Sequence, residues 1–205
     1  MSEEEYWKTK WDKREVEEAN DFARRSFSQI KDKNFKTLLD LGCGDGRDSL
    51  SFANEGLNVT SVDFSESGIK KLNELGKEKG LKINAIQTDI RKINLPDNSF
   101  DVIYAHLSLH YFNDEITTQI FEKLFRILKK DGVIFIKCKS IEDALYGQGE
   151  KVGEDMYKQG HLRHFFSEDY IKEKLSNFKI LEAKKTSSVY HQYESNFIEA
   201  VGTKT

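Results

Sequence analysis

The chain has 205 residues, of which 38% are hydrophobic and 33% are charged, and its formal net charge is -3 at pH 7. This balance is typical of a soluble domain with one full-sized core and excludes a fibrous or disordered chain. The negative charge argues against a protein built to hold a nucleic-acid backbone. No apolar run is long enough to cross a bilayer, and the charged N-terminus MSEEEYWKTKWDKR lacks a secretory signal. We therefore expect a cytoplasmic protein that binds neither nucleic acid nor membrane.

The two cysteines, Cys43 and Cys138, each lie in or beside an apolar run that has the character of a strand. Their spacing does not resemble a metal site. We expect two reduced, mostly buried thiols and no bound metal.

In the first half of the chain, helical and strand-like segments alternate. Residues 3–31 are predicted to be helical with a break near Asp12, and Trp7 and Trp11 share one side of this helix. Three apolar runs then follow as predicted strands, and two segments between them are predicted helices with Gly56 and Gly80 at their ends. These elements are strands 37–41, 58–64 and 82–90 and helices 47–54 and 66–79.

The second half continues the alternation. A fourth strand, FDVIYAHLSL, runs into a loop, and an amphipathic helix over 114–128 leads to a fifth strand, GVIFIKCK. Residues 141–165 carry weak periodicity and several glycines, so no regular element is predicted there. A helix follows the cap Ser167, and the runs 178–187 and 195–204 are predicted as an antiparallel pair.

Strands that alternate with helices predict a doubly wound α/β fold, in which a parallel sheet is covered on both faces. In such sheets ligands bind beyond the carboxyl ends of the strands, where the strand order reverses. The glycine-rich stretch TLLDLGCGDGRDSL follows the first predicted strand, so it should line that crevice.

Three features follow the first three strands in order. Gly42, Gly44 and Gly46 come after the first strand, Asp63 ends the second and Asp89 ends the third. Glycines let a ligand approach the backbone closely, and the following helix offers free N–H groups to a carboxylate or phosphate. An acid after the second strand is suited to accept hydrogen bonds from ribose hydroxyls.

The segments LLDLGCGDG, VTSVDFSESGI and QTDIRKINLPDNSFDVIYAHLSLHYF resemble the first four motifs of the class I S-adenosylmethionine-dependent methyltransferases. LFRILKKDGVIFI is similar to their fifth-strand segment, so the resemblance runs from about Thr37 to Lys139. LDLGCGDGRDSLSFA also resembles the tellurite-resistance type of small methyltransferase. The resemblance implies one domain over 1–205 with a seven-stranded Rossmann-like sheet in the order 3-2-1-4-5-7-6 and an antiparallel last strand. It also implies an N-terminal helical cap over 1–34 and a lid-like insertion over 140–166.

The resemblance further implies S-adenosylmethionine as cofactor, with S-adenosylhomocysteine as product. Asp40 would help to place the amino group of the cofactor. Ala105 would meet its methionine end, beside the glycine loop. Asp63 would accept the ribose hydroxyls, and three residues would hold the adenine. Those three are Phe64, Asp89 and Ile90, and Trp7 and Trp11 could close over the cofactor.

Candidates on the acceptor side come from two clusters. YAHLSLHYF offers His106 and His110 where the fourth strand opens onto the crevice, and GHLRHFFSEDY offers His161, Arg163 and His164 at the far end of the insertion. We expect in-line methyl transfer to a small molecule without a metal, by a monomer or a homodimer. Structural histidines and a solvated charge cluster remain the alternatives to these roles.

Two other functions stay open at this point. A dinucleotide-dependent oxidoreductase would need Gly-x-Gly-x-x-Gly, but Arg47 stands where its last glycine would be. A non-catalytic protein that binds the cofactor as a regulator or partner would have the same fold.

Overall fold

A computed structural model describes residues 7, 11, 16, 18–190 and 193–205, with the backbone alone for residues 190 and 193. Its strands in chain order are β1 (Thr37–Leu41), β2 (Asn58–Asp63), β3 (Ile83–Gln87), β4 (Phe100–His106), β5 (Leu128–Lys139), β6 (Glu150–Gly153), β7 (Met156–Gln159), β8 (His161–His164), β9 (Lys179–Tyr190) and β10 (Tyr193–Thr203). The described helices are α1 (Asp21–Ile30), α2 (Arg47–Asn54), α3 (Glu66–Glu78), α4 (Asp114–Ile127) and α5 (Glu168–Lys174). None of them is both long and apolar enough to span a membrane.

Seven strands form one sheet in the order β3-β2-β1-β4-β5-β10-β9. The first five strands in this order run parallel to one another. β10 is antiparallel to both β5 and β9. With β9 and β10 as the sixth and seventh strands, this is the predicted order with its antiparallel last strand. The order reverses between β1 and β4, so a crevice opens there beyond the carboxyl ends of the strands.

The central strands are mostly apolar because helices cover both faces of the sheet. Successive residues of β1 point to opposite sides: Leu38 belongs to a core with α1 and α2, whereas Leu39 belongs to a core with α4 and α5. Both leucines are fully buried. Burial on both faces holds β1 in place, and with it the carboxyl end of the strand, which opens onto the crevice.

The helices begin at residues that satisfy their first N–H groups. Asn20, Ser65, Asn113 and Ser167 each accept a hydrogen bond from the N–H three residues further on, through a side-chain oxygen. α2 begins instead after Gly46, whose φ of 85° lies in the left-handed region. These caps agree with the predicted helix starts at residues 47, 66, 114 and 168.

The long N-terminal helix predicted over 3–31 is wrong in its second part. Residues 18–20 are not helical, and α1 begins only at Asp21. The backbone of Asn20 is extended, and its N–H donates a hydrogen bond to the Asp48 carboxylate at a distance of 3.0 Å. This bond ties the start of α1 to α2. The break predicted near Asp12 lies outside the described residues.

Sequence reasoning missed a second sheet in the insertion. β6, β7 and β8 form an antiparallel sheet of their own, in that order. Each of these strands has four residues, too few for an alternating pattern to stand out among glycines and lysines. An isolated bridge pairs Ser140 with Phe166 and closes the insertion at its base.

Candidate active site

A crevice of about 1110 Å³ opens at the carboxyl ends of β1–β4. Pockets for one small ligand usually measure about 300–1,000 Å³, so this crevice lies just above the upper end of that range. Its walls come from the glycine loop, the ends of β2 and β3, the loop after β4 and the insertion. Trp7 and Trp11 lie among the lining residues.

Asp63 ties the glycine loop to the second strand. One carboxylate oxygen accepts the Gly44 N–H at 2.9 Å and the other accepts the Ser65 N–H at 2.8 Å. A carboxylate offers about four lone-pair sites, so it can accept from several donors at once. Asp63 is buried yet lines the crevice, which leaves its oxygens within reach of a ligand.

Two glycines of the loop are required by packing against other elements. A Cβ on Gly42 would lie 2.4 Å from the Ser108 Cβ, and one on Gly46 would lie 2.3 Å from the Leu72 Cδ1. Both glycines have positive φ. Gly42 lines the crevice, whereas Gly46 does not, so the structure does not place Gly46 against a ligand as the sequence predicted.

Trp11 covers the middle of the glycine loop. A Cβ on Gly44 would lie 2.6 Å from its indole, and its backbone carbonyl accepts a hydrogen bond from Lys71 Nζ at 2.5 Å. Gly68, which sequence reasoning missed, allows this approach, because a Cβ there would lie 2.4 Å from the Gly44 carbonyl oxygen. The glycines therefore bring α3, the loop and Trp11 into direct contact.

Trp7 connects two walls of the crevice. Its ring packs edge-on against Tyr111 with centroids 5.2 Å apart and lies 5.7 Å from the His161 ring. Tyr111 follows β4, and His161 begins β8. The structure thus places both predicted tryptophans at the crevice, over its two ends.

Asp40 is buried at the floor of the crevice. Ser49 Oγ donates to its carboxylate at 2.5 Å, and Ser61 Oγ donates to Ser49 Oγ at 2.8 Å. Burial, followed by the nearby Asp48 carboxylate, raises the pKa of Asp40 from 3.8 to about 8. Burial also raises the pKa of Asp48. A floor with two such acids favours a cationic group of a ligand, and an ammonium fits it.

The predicted adenine residues line one end of the crevice: Phe64, Asp89 and Ile90. Asp89 accepts hydrogen bonds from the backbone N–H and the guanidinium of Arg91, at 2.8 Å and 2.8 Å respectively. Burial works against ionisation, but the hydrogen bonds from Arg91 prevail and lower the pKa of Asp89. Asp89 is therefore an ionised acceptor at the crevice. Ala105 does not line it, because its side chain is fully buried in the core beneath.

His106 and His110 both line the crevice. Burial lowers the pKa of both well below the ordinary value for histidine, so both rings are neutral near pH 7. His110 is 2% exposed, and its Nδ1 has no hydrogen-bond partner among the described residues. Ser108 Oγ is also buried without a hydrogen-bond partner among the described residues. Two buried polar atoms beside the glycine loop are thus left for a ligand to satisfy.

β8 presents alternate residues to the crevice. His161 and Arg163 line it, as predicted, whereas His164 does not. The His164 ring packs against Phe166 and Tyr170, with centroids 5.2 Å and 4.5 Å apart, and burial lowers its pKa. The prediction that His164 points into the crevice is wrong, because neighbouring residues of a strand face opposite sides.

Sequence reasoning missed the wall formed by the end of β5 and the start of β10. Lys139 and Asp143 are both buried and form an ion pair of 2.7 Å at the crevice, where Ser195 also lies. Asp143 also accepts the Asn196 N–H at 2.9 Å, which ties this pair to β10. A signal was available: Lys137 and Lys139 interrupt an otherwise apolar central strand, and buried lysines require partners.

Known proteins share this arrangement. A family model described as a methyltransferase domain matches residues 38–132. The chain is 34% identical over 104 residues to phosphoethanolamine N-methyltransferase 1 of Triticum aestivum, which covers 50% of this chain and 21% of that protein. It is 27% identical over 159 residues to the probable S-adenosyl-L-methionine-dependent methyltransferase TehB of Haemophilus influenzae, which covers 78% and 51%. Residues 38–132 therefore match a methyltransferase domain.

A solved methyltransferase has the same fold with ligands bound. The 1,6-didemethyltoxoflavin-N1-methyltransferase of Burkholderia thailandensis, in complex with 1,6-didemethyltoxoflavin and S-adenosylhomocysteine, matches with a TM-score of 0.73 at 18% identity. The match covers 90% of this chain and 76% of that one. The present chain spans about half or less of the two curated relatives. The structural comparison identifies the fold of this chain.

Proposed function

We propose that this chain transfers the methyl group of S-adenosylmethionine to a small-molecule acceptor bound in the same crevice. The observation that carries the proposal is the crevice's division into two unlike halves. One half holds the glycine loop with Asp40, Asp63 and Asp89, and the other holds the wall of Lys139 and Arg163. The crevice volume of about 1110 Å³ lies at the large end for a ligand pocket.

The residues of the first half are suited to the cofactor. Asp63 accepts ribose hydroxyls while it holds Gly44, and Phe64 and Ile90 enclose the adenine with Asp89 as acceptor for its amino group. Asp40 stabilises the ammonium group because its buried carboxyl has no cationic partner of its own among the described residues. Trp7 and Trp11 then cover the ligand from the side of the N-terminal segment. These assignments fit the polar atoms that line this half of the crevice.

The residues of the second half orient the acceptor. When bound, the cofactor supplies an electrophilic methyl group on a sulfonium, and the proposed transfer is a direct in-line displacement without a metal. Correct orientation of two bound reactants can lower a barrier by roughly 7–11 kcal/mol. Neutral His106 and His110 leave the site free of added charge on that side, and His110 Nδ1 can form a hydrogen bond with the acceptor.

Several features support a small acceptor in preference to a nucleic acid. The insertion and Trp7 enclose the crevice on two sides, and the chain as a whole is acidic. We treat residues 140–166 as a lid over the acceptor, with β6–β8 as its rigid part. A cytoplasmic location and a monomeric or homodimeric state remain predictions from the sequence. A non-catalytic cofactor-binding protein is the second candidate, since a fold alone does not establish turnover.

The proposal is tested in two steps. Calorimetric titration should give S-adenosylhomocysteine binding that weakens by roughly ten- to a hundredfold in Asp63→Asn, as expected for a lost charged hydrogen-bond acceptor. Asp169→Asn is the matched control, because the Asp169 side chain is 98% exposed. If both variants fold and bind S-adenosylhomocysteine with equal affinity, the cofactor does not bind at Asp63 in this crevice. Transfer of labelled methyl groups to a panel of thiols, hydroxyls and amines then separates an enzyme from a binding protein.

A further inference from the structure

Four cations lie at the acceptor wall or near it, and three of them are paired with carboxylates. Lys139 Nζ lies 2.7 Å from Asp143. Lys137 Nζ and an Arg25 guanidinium nitrogen each lie 2.9 Å from the same Glu199 oxygen. Glu199 is 2% exposed, and none of these three residues lines the crevice. The three cations thus have their own counter-charges in the fold.

Arg163 is different from these three. It lies half-buried at the crevice wall, yet its guanidinium has no ion pair or hydrogen bond with any residue that the structure describes. Guanidinium groups carry five N–H donors and keep their charge at any ordinary pH. A half-buried guanidinium without an acceptor is unusual, and this one faces the space assigned to the acceptor.

Arg163 gives that space a positive charge that no carboxylate among the described residues neutralises. Lys139 and Arg163 both line this end, and burial together with their positive charges keeps the pKa of His110 low. Among the described residues, the acids at this end are Asp143, which is paired with Lys139, and Glu194, which is exposed. A cationic acceptor would be repelled by Arg163, whereas an anion would be attracted to it.

We propose that the methyl acceptor carries an oxyanion, such as a carboxylate, which the Arg163 guanidinium binds with paired hydrogen bonds. A flat anion with two oxygens matches the fork of N–H donors, and such pairs are short and strong. Lys139 adds positive potential behind Arg163, and Ser195 supplies a hydroxyl on the β10 side. The anion then anchors one end of the acceptor, and its nucleophilic atom lies toward His110. This inference rests on the proposed function and adds the substrate class.

Thermal unfolding of the protein saturated with S-adenosylhomocysteine tests the anion site. Benzoate and phenylacetate serve as organic acids, benzamide and phenylacetamide as their neutral counterparts, and phosphate and sulfate as inorganic oxyanions. An acid at ten times its dissociation constant should raise Tm by roughly 3–6 °C, whereas the amides should not. Arg163→Gln should weaken the effective anion by roughly tenfold or more. Lys158→Gln removes the same charge from an exposed position of β7 and should leave the response unchanged.

The outcomes separate the two proposals. If S-adenosylhomocysteine does not bind, the proposed function fails. If it binds but no anion stabilises the protein, or if the stabilisation survives in Arg163→Gln, the anion site is refuted and the proposed function stands. Equal shifts by acids and amides refute it as well. A response to the organic acids that depends on Arg163 identifies an organic acid as acceptor, and a response to phosphate or sulfate alone identifies a small inorganic oxyanion.

Discussion

Asp40 should make the unliganded protein less stable as the pH rises. Its carboxyl is 2% exposed, and its pKa in the folded state is about 8, against 3.8 for an unperturbed aspartate. Between these two values the folded state keeps a proton that the unfolded state has released. A group with a raised folded pKa contributes stability that is complete below pH 3.8 and is lost as the pH rises through 8. The isosteric change Asp40→Asn removes the titration and keeps an oxygen that can accept from Ser49 Oγ.

The magnitude follows from the pKa difference. One bound proton of difference changes the free energy of unfolding by about 1.36 kcal/mol per pH unit. Between pH 5 and pH 7 the wild type should therefore lose roughly 2.7 kcal/mol relative to Asp40→Asn. For a chain of this size that corresponds to a change of roughly 5–11 °C in the Tm difference between the two proteins.

Urea unfolding at pH 5, 6 and 7 measures this difference directly. The buried histidines titrate in both proteins, so their effects cancel in the comparison, and Asp169→Asn controls for loss of an exposed carboxylate. Saturating S-adenosylhomocysteine should reduce the pH dependence of the wild type, because an ammonium beside Asp40 would keep it ionised. If the free energies of unfolding of wild type and Asp40→Asn remain parallel over this range, the burial argument for Asp40 is wrong.

Two further predictions concern the tryptophans that cover the crevice. Gly44→Ala should lower the free energy of unfolding by about 1–2 kcal/mol and shift tryptophan emission to the red, because φ is +58° and the new Cβ would lie 2.6 Å from Trp11; unchanged emission in fluorescence spectra would contradict that contact. The chain has two tryptophans in all and both line the crevice, so S-adenosylhomocysteine should change the emission of the wild type and of Trp7→Phe. A cofactor-saturated spectrum identical to that of the free protein would place the ligand away from both rings.

The fold was largely predictable because its strands and helices alternate with clear periodicity. Most residues of β1, β2 and β4 are buried, and burial on both faces makes their apolar runs nearly continuous. Two parts escaped prediction for local reasons. Asn20 interrupts the N-terminal helix through a contact with Asp48, which lies far along the chain. The short strands β6–β8 form a sheet of their own and pair with one another. They therefore show no long alternating apolar pattern that would identify them in the sequence.

The cofactor half of the site was predictable because each residue directly follows its own strand. The acceptor half was predicted less completely, since it is assembled by the sheet order. Lys139 and Ser195 lie far apart in sequence and meet because β10 inserts beside β5. His164 was assigned to the crevice only because the predicted loop gave no means of assigning faces. Once β8 is known to be a strand, alternation separates Arg163 from His164.

The two halves of the crevice differ in how strongly the fold constrains them. Gly42, Gly46 and Gly68 are needed to pack the loop against the loop after β4 and against α3, so the cofactor half cannot change without disturbing the core. Arg163 instead projects from a three-stranded sheet that is separate from the main sheet, and its side chain supports no other residue that the structure describes. Substitution there should alter acceptor binding while the cofactor site remains intact. Because its removal costs the fold little, the half-buried charge of Arg163 is explained better by the acceptor than by stability.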